Sequence, residues 1–304
     1  MPVLSVRHLT RYRYRNPVAF GEHCMMFRPC EGCEQRLLAF KLVVTPVAAQ
    51  IRNMQDVLGN WVDIAKFTGR STELSFEARF TLEHSPLVSF TDAYTDAGDF
   101  PDGKNFLYNN DDFPDLLQAI QLLHSDPDGQ IAKWARRFVR PIGETSLQRL
   151  LSDVTHAIHA EFTYSNRLDS GLQTPVQTLE SRRGTCHDFA VLMMEALRTL
   201  GLASQFVSRY VHSLEGAGSG NLGGDGHTHA LVWVYLPQCG WVEFDPINGI
   251  VGNTDLIPVA VARDPRQAMQ LHGAWIGFPT DYLGMDVEVD VTEFGAEAAL
   301  AAFG

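Results

Sequence analysis

The spacing of apolar residues changes once along this chain, and that change limits the folds that the chain can adopt. Up to about residue 90 the apolar side chains follow strand-like patterns, as in residues 40–44 and 74–80. From Phe113 onward they recur at helical spacing, first at Leu116, Leu117, Ile120 and Leu123. The sequence therefore predicts a first part made of strands and a second part that begins with helices.

A segment rich in Asp, Gly, Asn and Pro, residues 91–115, separates the two parts. We place a domain boundary just before it, because 304 residues fit two domains better than one. The first domain, residues 1–90, is predicted to be an antiparallel β-sandwich, since no helical periodicity competes with its strands. The second, residues 91–304, places helices before antiparallel strands, and the fold class is α+β.

Composition and charge exclude several classes of function. The net charge of −12 argues against a nucleic-acid-binding protein, which needs a basic face. No apolar run approaches eighteen residues and the N-terminus lacks the apolar stretch of a signal peptide, so we expect no membrane span and no secretion signal. The five scattered cysteines do not suggest a disulfide framework, and reduced thiols in the cytoplasm are the simplest expectation. The sequence indicates no oligomeric state.

Cys186 begins the most regular amphipathic helix of the chain, with Thr185 as its predicted cap and Gly201 as its end. A helix N-terminus lowers the pKa of a thiol, and its free N–H groups suit an oxyanion hole. The alternative is a buried structural cysteine, which is the commoner role of a free thiol. The position favours a nucleophile because Cys186 lies off the apolar stripe and beside His187 and Asp188.

Two further residues offer partners for that thiol. His229 opens one predicted strand and Asp245 closes the next, and residues 237–240 form a hairpin connection between them. An antiparallel hairpin would bring the two side chains within about one strand spacing, ~5 Å. A carboxylate there would orient the imidazole. The alternatives are a strand-edge histidine without a partner and an Asx turn before Pro246.

The stretch from Leu179 to Ala190, which contains Arg183-Gly184-Thr185-Cys186-His187-Asp188, resembles the nucleophile segment of the transglutaminase-like superfamily. His229-Ala230 and the stretch from Gly240 to Gly249 are similar to the histidine and aspartate blocks of that family, in the same order. Leu4 to Tyr14 and Asp56 to Asn60 resemble the β-domain that precedes the core in bacterial members. Two positions depart from the family pattern: His187 stands where Arg or Gln is usual, and Leu231 stands where Trp is usual.

The resemblance implies a papain-like or transglutaminase-like core and a Cys186-His229-Asp245 catalytic triad. Such an enzyme attacks a peptide or carboxamide carbonyl and forms a thioester intermediate. Water would then make it a cysteine protease or amidase, and an amine would make it a transglutaminase. We expect a bacterial hydrolase that acts on a peptide or protein and requires no cofactor and no metal. We also expect His187, Trp241 and Tyr164 to line the substrate pocket, although Trp241 equally suits the core of its strand.

Two functions of other classes remain open at this point. A non-catalytic peptide-binding module would keep the fold without the chemistry, but it would not need all three triad residues. A metal-dependent hydrolase would use a cluster of His187, His212, His227 and His229 with Cys186, for which no closed set of zinc-like spacings exists. Cys30-x-x-Cys33 lacks a second pair. The glycine-rich residues 215–226 suit a lid over the site or a slack hairpin loop equally well.

Overall fold

The first strand of the protein, β1 (Val3–Met25), organises the larger of two main sheets. The structure is a computed structural model that describes residues 3–32, 35–84, 99–100, 105–165, 171–211, 228–252 and 256–294. The first half of β1 pairs with one strand on each side, and its last residues pair with two others. The partners of β1 and their neighbours are β2 (Gln35–Thr45), β3 (Gln50–Gln55), β4 (Trp61–Lys66), β5 (Arg70–His84), β15 (Leu271–Ile276) and β16 (Tyr282–Phe294).

These strands form a single curled, seven-stranded antiparallel sheet. The antiparallel strands predicted for the N-terminal β-sandwich are thus confirmed, and within the described residues they form one curled sheet. The sheet also takes β15 and β16 from the end of the chain, a region that the sequence analysis assigned to the second domain. The sequence analysis did not foresee the pairing of these two strands with β1. The boundary at residue 90 stays a prediction, because it lies outside the described residues.

The second main sheet has five antiparallel strands in the order β13-β12-β11-β10-β14. Its strands are β10 (Ser204–Val211), β11 (Thr228–Leu236), β12 (Gly240–Asp245), β13 (Ile250–Val251) and β14 (Leu256–Ala262). Four two-residue strands form two small sheets, namely β6 (Asp99–Phe100), β7 (Thr145–Ser146), β8 (Thr163–Tyr164) and β9 (Arg183–Gly184).

The helices accompany the second sheet, and one of them lies at the centre of the core. The helices are α1 (Phe113–Ile120), α2 (Gln130–Arg136), α3 (Leu147–Glu161), α4 (Pro175–Ser181) and α5 (Cys186–Thr199). Helix α5 packs against α2, α3 and α4 as well as β10 and β11, so it is buried on nearly every side. It begins after Thr185 and is followed by Gly201 in a left-handed conformation, as the sequence predicts. Helices before antiparallel strands confirm the α+β fold class.

The two main sheets meet where loops of the first sheet cover β14, the edge strand of the second. Asn60 donates to the carbonyl of Val261 at 2.7 Å and accepts from its N–H at 2.8 Å. The Cys30 N–H and the Gln35 amide both donate to the carbonyl of Pro258, at 3.0 Å and 3.1 Å. These contacts give the open backbone groups of an edge strand the partners that they would otherwise lack.

Candidate active site

The start of α5 is held by a capping box. The Thr185 N–H donates to Asp188 Oδ2 at 2.8 Å, and the Asp188 N–H donates to the Thr185 hydroxyl at 3.4 Å. These two bonds satisfy backbone donors that the first helical turn leaves without partners. Cys186 follows Thr185 and therefore occupies the first position of a fixed helical turn.

Asp188 also ties this turn to the segment before α4. Its second oxygen, Oδ1, accepts from the Gln173 N–H at 2.8 Å, and the residue is fully buried. Gly184 is needed beside it, because a Cβ there would lie 2.8 Å from Asp188 Cβ and 3.0 Å from the ring of Phe189. The sequence analysis identified Thr185 as the cap but gave Asp188 no role. The spacing Thr-x-x-Asp was the signal that could have found it.

The Cys186 thiol lies in a nearly closed environment, with only 5% of the residue exposed. Burial raises the pKa of the thiol to about 11, although the backbone N–H groups of His187 and Ala230 act to lower it. The direction is therefore opposite to the lowered thiol pKa that the helix start alone leads one to expect. The helix start does provide N–H groups near the sulfur. These groups stabilise a thiolate less than the water that burial removes would stabilise it.

His229 and Asp245 lie side by side on the second sheet. Val232 pairs with Phe244, which places Asp245 diagonally from His229 on the same face of the β11–β12 hairpin. His229 Nε2 lies 2.9 Å from Asp245 Oδ2. The two residues are 6% and 1% exposed, so the contact is shielded from water.

Asp245 makes both the contact and the turn that the sequence analysis offered as alternatives. Oδ1 accepts from the N–H groups of Ile247 and Asn248, both at 3.0 Å, and so forms an Asx turn. Oδ2 receives the His229 contact and a bond of 2.7 Å from the Asn248 side chain. Burial raises the pKa of Asp245, but the hydrogen bonds from His229 and Asn248 outweigh it, and the net pKa is lowered. Sequence reasoning had given Asn248 no role.

The turn after Asp245 is supported from α3. His159 Nδ1 donates to the carbonyl of Ile247. Gly249 has a φ of +68°, and a Cβ there would lie 3.2 Å from the His159 ring. The turn that holds the carboxylate is thus packed closely against α3. Nothing in the spacing of the sequence pointed to His159.

The three residues of the predicted triad are brought to one region. The N–H of Ala230, the residue after His229, is a hydrogen-bond donor to the Cys186 thiol. The start of β11 therefore lies against the start of α5, and Asp245 is on the far side of the imidazole at Nε2. With a carboxylate at Nε2, Nδ1 is the ring nitrogen left for a second partner.

The three expected pocket residues have different positions. His187 is adjacent to the thiol, with Nδ1 3.3 Å from Cys186 Sγ. Tyr164 is close to the nucleophile segment, because β8 runs parallel to β9 with Tyr164 opposite Gly184. The structure does not bring Trp241 to the site. It pairs with Tyr235 at the other end of β12 from Asp245 and packs there in a separate apolar cluster.

The metal alternative depends partly on residues outside the description. His212, His227 and the glycine-rich residues 215–226 lie outside the described residues, as does Cys33. Within the described ranges, no group of three or more His, Cys, Asp or Glu side chains is arranged to hold a metal ion. No helix among those ranges is long and apolar enough to span a membrane.

Two family models match this chain. Residues 4–83 match the bacterial transglutaminase-like N-terminal region, and residues 133–246 match the transglutaminase-like superfamily. The second match includes Cys186, His229 and Asp245. The order of the two matches is the order that the sequence resemblance had suggested.

Known proteins are similar to this chain over part or nearly all of its length. An uncharacterised protein of Mycobacterium tuberculosis is 27% identical over 314 residues, which cover 96% of this chain and 93% of that protein. An uncharacterised protein of Mycobacterium leprae is 34% identical over 118 residues, which cover 38% of this chain and 40% of that protein. Among solved structures, a candidate cysteine protease from Cytophaga hutchinsonii has a TM-score of 0.66 and 18% identity, and the match covers 97% of this chain and 92% of that one. That likeness establishes a shared fold.

Proposed function

The chain belongs to the transglutaminase-like superfamily, and from that membership and the site geometry we propose that it is a thiol acyl-transfer enzyme. We propose Cys186 as the nucleophile, His229 as the acid and base, and Asp245 as the residue that orients His229. The observation that carries the proposal is the buried 2.9 Å contact between His229 and Asp245, on a strand whose next N–H reaches the Cys186 thiol.

The first half-reaction forms a thioester. As Sγ bonds to the substrate carbonyl carbon, an imidazole takes the thiol proton, and the carbonyl oxygen receives the displaced electron pair. Backbone N–H groups at the start of α5 stabilise that oxygen. The tetrahedral intermediate then expels the amine, which takes a proton from His229, and the carbonyl re-forms as a thioester of Cys186.

The second half-reaction releases the acyl group. We propose water as the usual acceptor, so that the enzyme hydrolyses peptide or carboxamide bonds. The name of the Cytophaga hutchinsonii protein, a candidate cysteine protease with the same fold, supports this choice. An amine acceptor would leave the triad unchanged and would make the product a new amide, so the acceptor must be measured.

A chromogenic ester tests the chemistry without knowledge of the natural substrate. Incubation with p-nitrophenyl acetate should give a burst of p-nitrophenol stoichiometric with protein, and mass spectrometry should locate one acetyl group on Cys186. Added methylamine then divides the product between acetate and N-methylacetamide, which compares water with an amine as acceptor. The variant Cys186→Ala should give no burst, and Cys239→Ala is the matched control.

Four results would contradict the proposal. The first is a burst that persists in Cys186→Ala, and the second is an acetyl group on another residue. The third is activity that EDTA abolishes, because it would favour the metal-dependent hydrolase. A folded wild-type protein that forms no acyl-enzyme with this ester or with a peptide thioester would favour the non-catalytic peptide-binding module.

We further propose that the enzyme acts in the cytoplasm on a peptide or protein substrate. The support is the composition, with five scattered cysteines and a net charge of −12. Fractionation of the source cell followed by immunodetection tests the location. Recovery of the protein from a secreted or membrane fraction would contradict it.

A further inference from the structure

A second imidazole lies beside the thiol. Cys186 Sγ and His187 Nδ1 are 3.3 Å apart, within hydrogen-bonding distance for sulfur. The His187 ring is stacked on Phe206 of β10, with centroids 5.4 Å apart and planes inclined by 26°. The stacking limits rotation of the ring, so Nδ1 is held toward the sulfur.

We propose that His187 is a second proton acceptor for Cys186, an inference that rests on the thiol mechanism proposed above. In this step the Sγ–H bond breaks, Nδ1 of His187 takes the proton, and the sulfur keeps the electron pair as a thiolate. The thiolate is then adjacent to a new imidazolium, and no other reactant is needed. His187 would thus be a catalytic residue, because it touches the reacting atom.

The surroundings of the two imidazoles suit them to different roles. His229 contacts the carboxylate of Asp245, which orients its ring. Burial lowers the pKa of His187, the charge of Asp188 acts to raise it, and His229 acts to lower it further. The oxygens of Asp188 accept hydrogen bonds from Gln173 and Thr185.

The net result is a neutral His187 near pH 7. A neutral ring has one nitrogen without a proton, and Nδ1 is the nitrogen that faces the sulfur. The charged and titratable groups that act on His187 from its own helix and from β11 are therefore Cys186, Asp188 and His229.

Two acceptors for one thiol would separate two tasks that a single histidine performs in turn. If His187 takes the thiol proton, His229 is free to hold a proton for the leaving amine. His187 would take the thiol proton during the attack, and His229 would donate its proton to the leaving amine in the same half-reaction. This arrangement is specific to a chain with histidine after the cysteine, since Arg or Gln at that position accepts no proton from a thiol.

Alkylation of Cys186 tests the proposal without any substrate. The rate of reaction with iodoacetamide is measured from pH 5 to 10 by mass spectrometry of the Cys186 peptide, because the thiolate is the form that reacts. The proteins are the wild type, His187→Gln, His229→Gln and the double variant, with His156→Gln as a control that removes an exposed imidazole on α3. At pH 7 we expect His229→Gln to react about tenfold faster than the double variant, which corresponds to one unit of thiol pKa.

The outcomes separate the two proposals. Equal rates for His229→Gln and the double variant at every pH would overturn the role of His187 and leave the triad intact. A wild type whose rate matches that of the double variant at every pH would show that neither imidazole assists the thiol, and this would count against the proposed function itself.

Histidine NMR provides a second measurement if a variant fails to fold. In wild-type protein labelled with ¹⁵N-histidine, alkylation of Cys186 removes the proton that His187 would accept. We expect the titration of His187 to shift on alkylation and that of His156 to remain unchanged. An unshifted titration of His187 would overturn the proposal.

Discussion

Replacement of Asp245 by Asn tests whether the carboxylate sets the proton position on His229. The Asx turn fixes the orientation of the new side chain, because the N–H groups of Ile247 and Asn248 require an oxygen at the Oδ1 position. The amide NH₂ must then occupy the Oδ2 position and face His229. A donor there forces His229 Nε2 to become an acceptor, which moves the ring proton to Nδ1. That tautomer accepts no proton from the thiol.

The expected magnitude follows from the two donors that Oδ2 loses, His229 Nε2 at 2.9 Å and the Asn248 amide at 2.7 Å. A hydrogen bond to a charged acceptor contributes about 1.5–3 kcal/mol. Because a neutral amide is less costly to bury than a carboxylate, we expect a net loss of about 2–4 kcal/mol of unfolding free energy. We expect turnover to fall about 10⁴-fold, as it does when a triad histidine takes the wrong tautomer.

The stability difference should also depend on pH. The folded-state pKa of Asp245 is lowered, so its carboxylate stabilises the fold above the unfolded pKa, and that contribution is lost as pH falls through the folded pKa. The gap between wild type and Asp245→Asn should therefore be widest near neutral pH and should narrow in acid. Urea unfolding from pH 3 to 7 measures it.

A matched control keeps the carboxylate and removes one donor. In Asn248→Ala the backbone N–H and the His229 contact remain, so we expect turnover to fall less than tenfold. The burst and steady-state rates with p-nitrophenyl acetate compare the variants. If Asp245→Asn keeps more than a tenth of wild-type turnover, the tautomer argument is refuted, whatever its effect on stability.

Three further predictions concern the packing of the fold, each measured by urea unfolding. Gly184→Ala should lower the free energy of unfolding by about 1–3 kcal/mol, because its Cβ would overlap buried atoms. Gly171→Ala should change that free energy little, because no atom lies within 4 Å of the added Cβ. Equal effects of the two substitutions would contradict the packing argument. Asn60→Ala should lower the free energy of unfolding by about 2–4 kcal/mol, because it leaves two backbone groups of β14 without partners. The control Asn110→Ala replaces an exposed side chain and should leave that free energy unchanged. Burial lowers the pKa of His23, so this imidazole takes up a proton more readily in the unfolded chain than in the folded one. The free energy of unfolding should therefore fall as pH drops below about 6.5. A His23→Gln variant with the same pH dependence as wild type would contradict this.

Local patterns predicted the parts of the fold that depend on neighbours in sequence. The start and end of α5 follow from Thr185 and Gly201, and the approach of His229 to Asp245 follows from one hairpin. Both depend on contacts within about twenty residues, which periodicity and turn chemistry describe well. The position of Asn248 is equally local, and closer attention to the turn after Asp245 would have found it.

Contacts between distant residues account for what the sequence did not show. The pairing of β16 with β1 joins Val3 to Phe294, and no alternation within either strand names its partner. The raised pKa of Cys186 likewise depends on how completely other elements cover the start of α5, which a helix-start pattern does not report. Trp241 illustrates the same limit, because adjacency to the Asp245 block in sequence does not bring it near the site.

The opposite pKa directions of two buried residues indicate where charge lies before a substrate binds. The pKa of Asp245 is lowered because its oxygens receive four hydrogen bonds, while the pKa of Cys186 is raised because backbone N–H groups only partly replace water. The resting site therefore holds its negative charge on the carboxylate and keeps the thiol neutral. In the proposed mechanism, an imidazole beside the sulfur would then generate the nucleophile during the reaction. In that mechanism, the N–H groups at the start of α5 would stabilise charge that arises only as the carbonyl is attacked, which is the stage at which stabilisation accelerates a reaction.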